Sequence, residues 1–444
     1  MKKHSFLLLY FYSPLILATF LFVANPIKYS NFPRLLSMLM GVCAYTWFNW
    51  QFILSARPKF IDRIIGMDRI YRLHGIMAIV SLILIAGHQI LNNNIFSENQ
   101  MIRIGKVAFL IFIVISILSS VFMVSSVITK KQPIKLIKTI INWVMVFKYE
   151  HLKLIHNLTI VALIFMLVHV LMTSAVRTDF IVFAGYMSYF SLAFGFYVYH
   201  KLLKPWLRKG HRYEIMEVAN ESADIWRIDF KNDKRQISYQ PGQFAFFRFA
   251  GEGINEEHPF TISSSPTEKN RLSIIVKELG DFTSQIGKIK PGDELTMEGP
   301  YGRFSYLNYS DEKQIVFIVG GIGITPALSM MQNMADTLEK RKVLLIWGVR
   351  HESDIIMKNK LEELKQKLPG LKIIPIVSDE DEYEGEKGFI SGLMLARIFN
   401  VNNITPNEAG CYLCGPEIFM SIAKKALIAL GVNQESVHDE RFSM

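Results

Sequence analysis

Six apolar runs, each about 20 residues long and therefore able to cross a bilayer as a helix, recur before residue 201 of this 444-residue chain. They lie near 5–25, 33–55, 70–91, 105–128, 152–176 and 180–200, and nothing comparable follows. Charge divides at the same place. Residues 1–210 hold 22 Lys and Arg against 5 Asp and Glu, whereas 211–444 hold 27 against 34. Basic charge confined to a hydrophobic half belongs to the flanks of membrane spans and argues against a nucleic-acid partner. The first run is kept as a helix, because it is long for a signal peptide and no small-residue cleavage site follows.

Most of the basic residues precede span one (Lys2, Lys3) or fall between spans two and three (Arg57, Lys59, Arg63, Arg69), between four and five (Lys130, Lys131, Lys135, Lys138, Lys148, Lys153) and after span six (Lys201, Lys204, Arg208, Lys209), while the opposite loops hold only Lys28, Arg34, Arg103, Lys106 and Arg177. The positive-inside rule then places both termini in the cytoplasm. The basic stretch 131–150 reads as an amphipathic segment along the inner face. Only three cysteines are present, Cys43, Cys411 and Cys414. They provide no disulfide framework, and Cys411-x-x-Cys414 lacks the second pair a zinc site needs.

Spans three and five carry histidines, and an ionisable group inside a bilayer needs a partner. His74 and His88 are 14 residues apart, and His156 and His169 are 13 apart. On helices these spacings are roughly 20 Å, so each helix offers one imidazole near each side of the hydrocarbon. Both helices run outward, which levels His74 with His156 at the inner side and His88 with His169 at the outer. Two facing pairs at two depths are what two stacked bis-histidine b-type haems require. One tension remains: 14 residues leave the second histidine about 40° from alignment, but 13 leave it about 140° away. Span five has to be distorted, or its two haems approach from different sides. His4, His151, His200 and His211 sit at membrane edges and read as interfacial.

After residue 207 the pattern changes. Short alternating runs such as Tyr213–Val218, Asp224–Phe230 and Phe244–Phe249 predict an antiparallel barrel. From residue 315 the runs become continuous and apolar (Ile315–Val319, Val343–Trp347, Ile373–Val377, Gly410–Leu413), with helical segments near 326–339 and 354–367 between them. That alternation predicts a parallel sheet built from βα units. The expected organisation is a six-helix transmembrane bundle over 1–207, a β-barrel domain over 208–306 and a Rossmann-like α/β domain over 307–444.

The second half is also where recognisable motifs occur. His258-Pro259-Phe260-Thr261-Ile262-Ser263-Ser264 resembles the flavin motif of ferredoxin–NADP reductase-type modules, in the variant found in the NADPH oxidase and ferric reductase superfamily. Pro241-Gly242-Gln243-Phe244, Val276-Lys277, Gly280-Asp281-Phe282-Thr283-Ser284, Gly299-Pro300-Tyr301-Gly302, Gly320-Gly321-Ile322-Gly323-Ile324-Thr325-Pro326 and Cys414-Gly415-Pro416 follow the same pattern in order. With the histidine pairs, the resemblance covers nearly the whole chain.

It implies FAD held by His258, Pro259, Phe260, Thr261, Ser264, Val276, Lys277, Gly280, Thr283 and Ser284. It implies NADPH or NADH held by Gly320, Gly321, Gly323, Thr325, Pro326, Arg350, Cys414, Gly415 and Pro416. Phe260 would stack on the isoalloxazine, and Thr261 would offer its hydroxyl to the reactive ring nitrogen. Cys414 would flank the nicotinamide, and Phe442 would cover the flavin, although Ser443 and Met444 extend the chain beyond the family's aromatic terminus. Arg350, after the strand Val343–Trp347, can pair with a 2′-phosphate and leans the reading to NADPH, while the acidic stretch Asp379–Glu386, read as a solvated loop, argues mildly the other way.

A flavin can accept hydride and release single electrons, so it belongs between nicotinamide and haem. The expected activity is electron transfer from cytoplasmic NAD(P)H through FAD and two haems, ligated by His74, His156, His88 and His169, to dioxygen outside, giving superoxide. A ferric-chelate or quinone reductase would use the same path, and no obligate protein partner is implied. The competing class is a six-helix channel with a regulatory nucleotide domain, which would need polar pore residues at the midplane instead.

Overall fold

The computed structural model describes residues 3–25, 31–93, 99–122, 149–208, 212–232, 237–251, 254–269 and 271–441. The basic stretch 131–148 and Phe442 lie outside them. The chain divides after Pro205 into two compact units.

The first unit is helical: α1 (Lys3–Ala24), α2 (Phe32–Ser55), α3 (Lys59–Ile65), α4 (Met67–Asn93), α5 (Gln100–Phe122), α6 (Tyr149–Asn157), α7 (Thr159–Leu171), α8 (Ser174–Thr178) and α9 (Phe180–Val198); after a π-turn, α10 (Lys204–Arg208) carries the chain over the boundary. Five segments among the described residues are long and apolar enough to cross a membrane: His4–Ala24, Met67–Asn92, Gln100–Ser120, Leu154–Leu171 and Phe180–Leu207. The second expected span is a 24-residue helix but is not among them. The reason is its surroundings. Helix α2 packs against α1, α4 and α9, so it faces other helices and carries Ser37, Thr46, Asn49 and Gln51 buried. Its Trp50 donates to Ser13 Oγ at 3.0 Å, its Gln51 to Tyr10 Oη at 3.2 Å, and its Tyr45 to the Tyr186 carbonyl at 2.8 Å. A helix surrounded by helices can satisfy polar groups that lipid cannot.

Span five is broken. Helix α6 ends at Asn157 and α7 begins at Thr159, so His156 and His169 stand on two helical segments rather than one.

The second unit contains β1 (Arg212–Ser222), β2 (Ile225–Lys231), β3 (Phe244–Phe249), β4 (His258–Thr261), β5 (Leu272–Lys277) and β6 (Glu294–Tyr301) in the order β4-β3-β6-β1-β2-β5, all antiparallel. Ile215, Ile228, Phe230, Phe247, Ile274 and Val276 fill its interior. The second sheet is parallel: β7 (Gln314–Gly320), β8 (Lys342–Val349), β9 (Leu371–Val377), β10 (Glu386–Lys387), β11 (Ala409–Cys414) and β12 (Val437–Glu440), ordered β10-β9-β8-β7-β11-β12. Helices α11 (Ile324–Asp336) and α12 (Lys358–Lys367) cover one face; α13 (Gly392–Val401) and α14 (Glu417–Ala429) cover the other. Strand order reverses between β7 and β11. In an open parallel sheet, that reversal opens a crevice at the carboxyl ends of the strands where ligands bind.

Candidate functional site

The crevice between β7 and β11 is lined by the glycines the sequence singled out. Gly320 ends β7, Gly321 to Gly323 form a 3-10 turn, and α11 follows at Ile324. Gly321 has φ +54°, a left-handed backbone that favours glycine. Gly323 is glycine for space, since a Cβ there would meet the Cys414 carbonyl oxygen at 2.4 Å. On the facing loop Gly415, at φ +151°, lies so close that its own Cβ would fall 2.9 Å from Gly320 N. Two bare backbones meet at a helix start, which suits a dinucleotide's phosphates. Thr325 donates to the Ile322 carbonyl at 3.2 Å and stabilises the turn, with Pro326 buried behind it.

Strand β11 runs on to Cys414, so Cys411 lies within the strand rather than at its end. Both thiols are buried. Burial, with the Glu312 carboxylate adding to it, pushes the Cys411 thiol well up, which keeps it protonated and unreactive. Register pairs Cys414 with Glu440 of β12, a carboxylate that the sequence reading did not assign to the site.

The flavin residues divide into two groups. His258, Phe260 and Thr261 lie on β4. The His258 ring stacks on Phe282 at 3.8 Å and bonds Glu256 at 3.0 Å, and Phe260 lies 6.5 Å from Phe282 in a parallel attitude. Pro259, between them, pairs with Phe246. Thr283 Oγ1 accepts from the N–H groups of Leu279 and Gly280 at 2.8 and 3.0 Å, and Ser284 Oγ donates to the Asp281 carbonyl at 3.0 Å. These hydroxyls shape the turn at the start of its 3-10 helix, where Ser284 N donates to the Gly280 carbonyl at 2.9 Å.

Two of the assigned flavin residues have their side chains engaged within the protein. Val276 points into the barrel core at 1% exposure, so only its backbone can face a cofactor. Ser264 is engaged in packing: its Oγ accepts from Ser273 N at 3.0 Å and lies 3.1 Å from Tyr239 Oη, and its carbonyl accepts from Ser329 at 2.6 Å. Lys277 forms an ion pair with Asp224 at 3.2 Å.

In the helical unit the four histidines meet in the expected pairs. The rings of His74 and His156 have centroids 6.2 Å apart, and those of His88 and His169 are 6.4 Å apart. Two imidazoles about 2 Å from a shared iron have ring centres about 6 Å apart, so the donor set fits. Its supporting residues were missed by the sequence reading. His88 Nδ1 donates to the Ser37 carbonyl at 2.8 Å, His169 Nδ1 to the Met101 carbonyl at 2.8 Å, and His156 Nδ1 lies 3.0 Å from Ser119 Oγ. A proton fixed on Nδ1 leaves the Nε2 lone pair for a metal. His74 Nδ1 is buried without such a bond. At His88, Asn92 Nδ2 lies 3.1 Å from Nε2, a contact an iron would replace. Glycines make room for the outer pair: a Cβ on Gly41 would touch the His88 ring at 2.9 Å, and one on Gly105 the His169 ring at 2.8 Å. Only tertiary packing reveals the contacts from Ser37, Met101 and Ser119, because each lies dozens of residues from its histidine.

Comparison with known proteins bears on the second unit. Residues 211–305 match the FAD-binding domain family, and residues 317–425 match the oxidoreductase NAD-binding domain family. The glycine betaine monooxygenase reductase subunit of Chromohalobacter salexigens is 28% identical over 247 residues, covering 54% of this chain and 66% of the relative. The flavohemoprotein of Rhizobium meliloti is 29% identical over 248 residues, covering 52% of this chain and 60% of that one. The chain thus spans slightly under two thirds of the length of these relatives. Among solved structures, the flavohemoglobin of Malassezia yamatoensis with bound FAD and heme has a TM-score of 0.50 at 18% identity, covering 94% of this chain and 98% of that one. At that identity the likeness concerns the fold alone. The two domain matches make the second unit an oxidoreductase module of the ferredoxin–NADP reductase type, with FAD and a nicotinamide dinucleotide as its cofactors.

Proposed function

We propose that this chain moves electrons across a lipid bilayer, from NADH at the flavin module to an acceptor on the far side, with dioxygen reduced to superoxide. The observation that carries the reading is the pair of facing histidine couples at two depths, 6.2 and 6.4 Å between ring centres, on helices apolar enough to span. His74 with His156, and His88 with His169, would hold two b-type haems, while residues 258–261 and 280–284 would hold FAD. The flavin supplies the exchange between hydride and single electrons, and the haem irons supply a one-electron relay.

The residues do the rest. Ser37 and Met101 orient the outer imidazoles through their carbonyls. A haem held between two such imidazoles would supply single-electron transfer, which suits one-electron reduction of dioxygen. Gly323 and Gly415 let the two loops of the crevice meet backbone to backbone, which would leave bare N–H groups for the nucleotide's phosphates, and Thr261, 5% exposed, holds its hydroxyl in a site shielded from water.

The test is a reduced-minus-oxidised visible spectrum of the purified full chain, followed by assay in liposomes. Two haems per chain are expected, as is NADH-driven reduction of cytochrome c on the opposite face that superoxide dismutase abolishes. A chain without a Soret band would defeat the transmembrane reading. A signal that persists anaerobically and ignores dismutase would instead favour a ferric-chelate or quinone reductase.

The nucleotide is proposed to be NADH. Arg350 stands at the end of β8, but carboxylates crowd the same edge. Asp379 N bonds the Arg350 carbonyl at 2.9 Å, and Glu380 Oε1 accepts from Glu352 N at 3.0 Å and lies 3.4 Å from His351 Nδ1. A carboxylate there can take the ribose 2′-hydroxyl of NADH, whereas a 2′-phosphate would meet like charge costing several kcal/mol. Steady-state kinetics are expected to show kcat/KM about tenfold or more higher for NADH; equal values for NADPH would refute the assignment.

A further inference from the structure

The connector between barrel and parallel sheet, residues 302–313, buries a carboxylate that no step above uses. Glu312, 8% exposed, accepts from Tyr412 Oη on β11 at 2.6 Å and from His438 Nε2 on β12 at 2.5 Å. Tyr309 stacks on the His438 ring with centroids 3.7 Å apart. Arg341 donates to the carbonyls of Tyr309 and Glu312, both at 3.3 Å. Burial and the adjoining carboxylate push the Tyr412 hydroxyl well up, so it remains a donor. Gly410 makes the space: a Cβ there would fall 1.9 Å from Glu312 Oε2.

Where this cluster sits gives it a role. His438 pairs with Tyr412, and two residues further on Glu440 pairs with Cys414. The connector begins at Gly302, whose carbonyl accepts from Gln243 Nε2 at 2.8 Å and whose Cβ position is 3.7 Å from Glu440 Oε1. One end of the connector thus grips β12 at His438, and the other meets it at Glu440. Strand β12 has four residues and stands at the sheet edge. A strand so short gains little from ladder pairing alone, so its register depends on side-chain contacts.

We propose that Glu312, Tyr412 and His438 form a buried brace that sets the register of β12 and so places Glu440 against Cys414 at the nicotinamide crevice. They are positioning residues, and the proposal rests on the reading of this unit as a nicotinamide–flavin oxidoreductase. A buried carboxylate is tolerated because both oxygens accept hydrogen bonds; removing one donor leaves it to seek another and releases the strand.

The experiment is anaerobic stopped-flow reduction of the flavin by NADH in the full chain, comparing wild type with His438→Phe, His438→Gln and Gly410→Ala. His438→Phe keeps a ring against Tyr309 but loses the donor. Its reduction rate constant is expected to fall about tenfold or more, because small misplacements near a reacting centre have large kinetic effects. The apparent NADH Kd should move less than about threefold, and FAD content should match wild type. His438→Gln retains a donor and should recover most of the rate. Gly410→Ala, which evicts the carboxylate, should behave like His438→Phe. Lowered thermal stability with a wild-type rate constant in the FAD-loaded fraction would overturn the brace, as would equal losses for Phe and Gln. If NADH failed to reduce the wild-type flavin, the oxidoreductase reading itself would fall, and the brace with it.

Discussion

Replacing His74 or His156 with leucine is expected to leave the purified protein with one haem instead of two, and to stop electrons at the flavin. The rings of these residues face each other 6.2 Å apart, and His156 is held through Nδ1 by Ser119. Leucine removes the proposed haem ligand at similar bulk and leaves the helices apolar, so the bundle should persist. Delivery to the outer acceptor should fall at least about a hundredfold, while reduction of the flavin by NADH proceeds at the wild-type rate. Pyridine haemochrome quantification reads the first effect and stopped-flow absorbance the second. His4→Leu, outside both pairs, serves as the control and should retain two haems. Retention of both haems in either inner variant would refute the assignment of that pair.

The second large effect is expected at Gly323. A valine side chain there would begin 2.4 Å from the Cys414 carbonyl oxygen and 2.9 Å from Gly415 N. Both contacts are backbone, so relief requires the two loops of the crevice to separate. Gly323→Val should therefore lower NADH-driven flavin reduction about a hundredfold, with FAD and haem content unchanged. Gly321 offers the contrast. It adopts φ +54° with nothing within 4 Å of its Cβ position, and asparagine tolerates that backbone at small cost. Gly321→Asn should stay within about threefold of wild type. Equal losses at the two positions would show that conformation, and not close approach, is what the glycines supply.

How far the sequence could be read depended on whether its signals were local. Strand and helix positions in the second unit follow from hydrophobic periodicity: Ile315–Val319 lies within β7, and Val343–Trp347 lies within β8. The histidine pairing was readable because position along a helix is a one-dimensional quantity, counted in residues. The 13-residue spacing even signalled a distortion, which the structure places at Leu158 between α6 and α7. Other features depend on which way a side chain points or on what lies across a helix interface. Val276 belongs to the motif by position but faces the barrel interior. Gly41 and Gly105 look like ordinary small residues of apolar helices until His88 and His169 are seen against them. Glu312 and His438, 126 residues apart, carry no mark in sequence at all.

The contacts at Gly41 and Gly105 also bear on how such chains diverge. Each glycine is constrained by an imidazole on another helix, at 2.9 Å for Gly41 with His88 and 2.8 Å for Gly105 with His169. A lineage that lost the outer histidines would release both positions at once, and larger residues could then accumulate there to fill the gap. Among descendants of a common ancestor, positions 41 with 88 and 105 with 169 should therefore change as linked pairs. Their joint history would record whether the outer site was kept or abandoned.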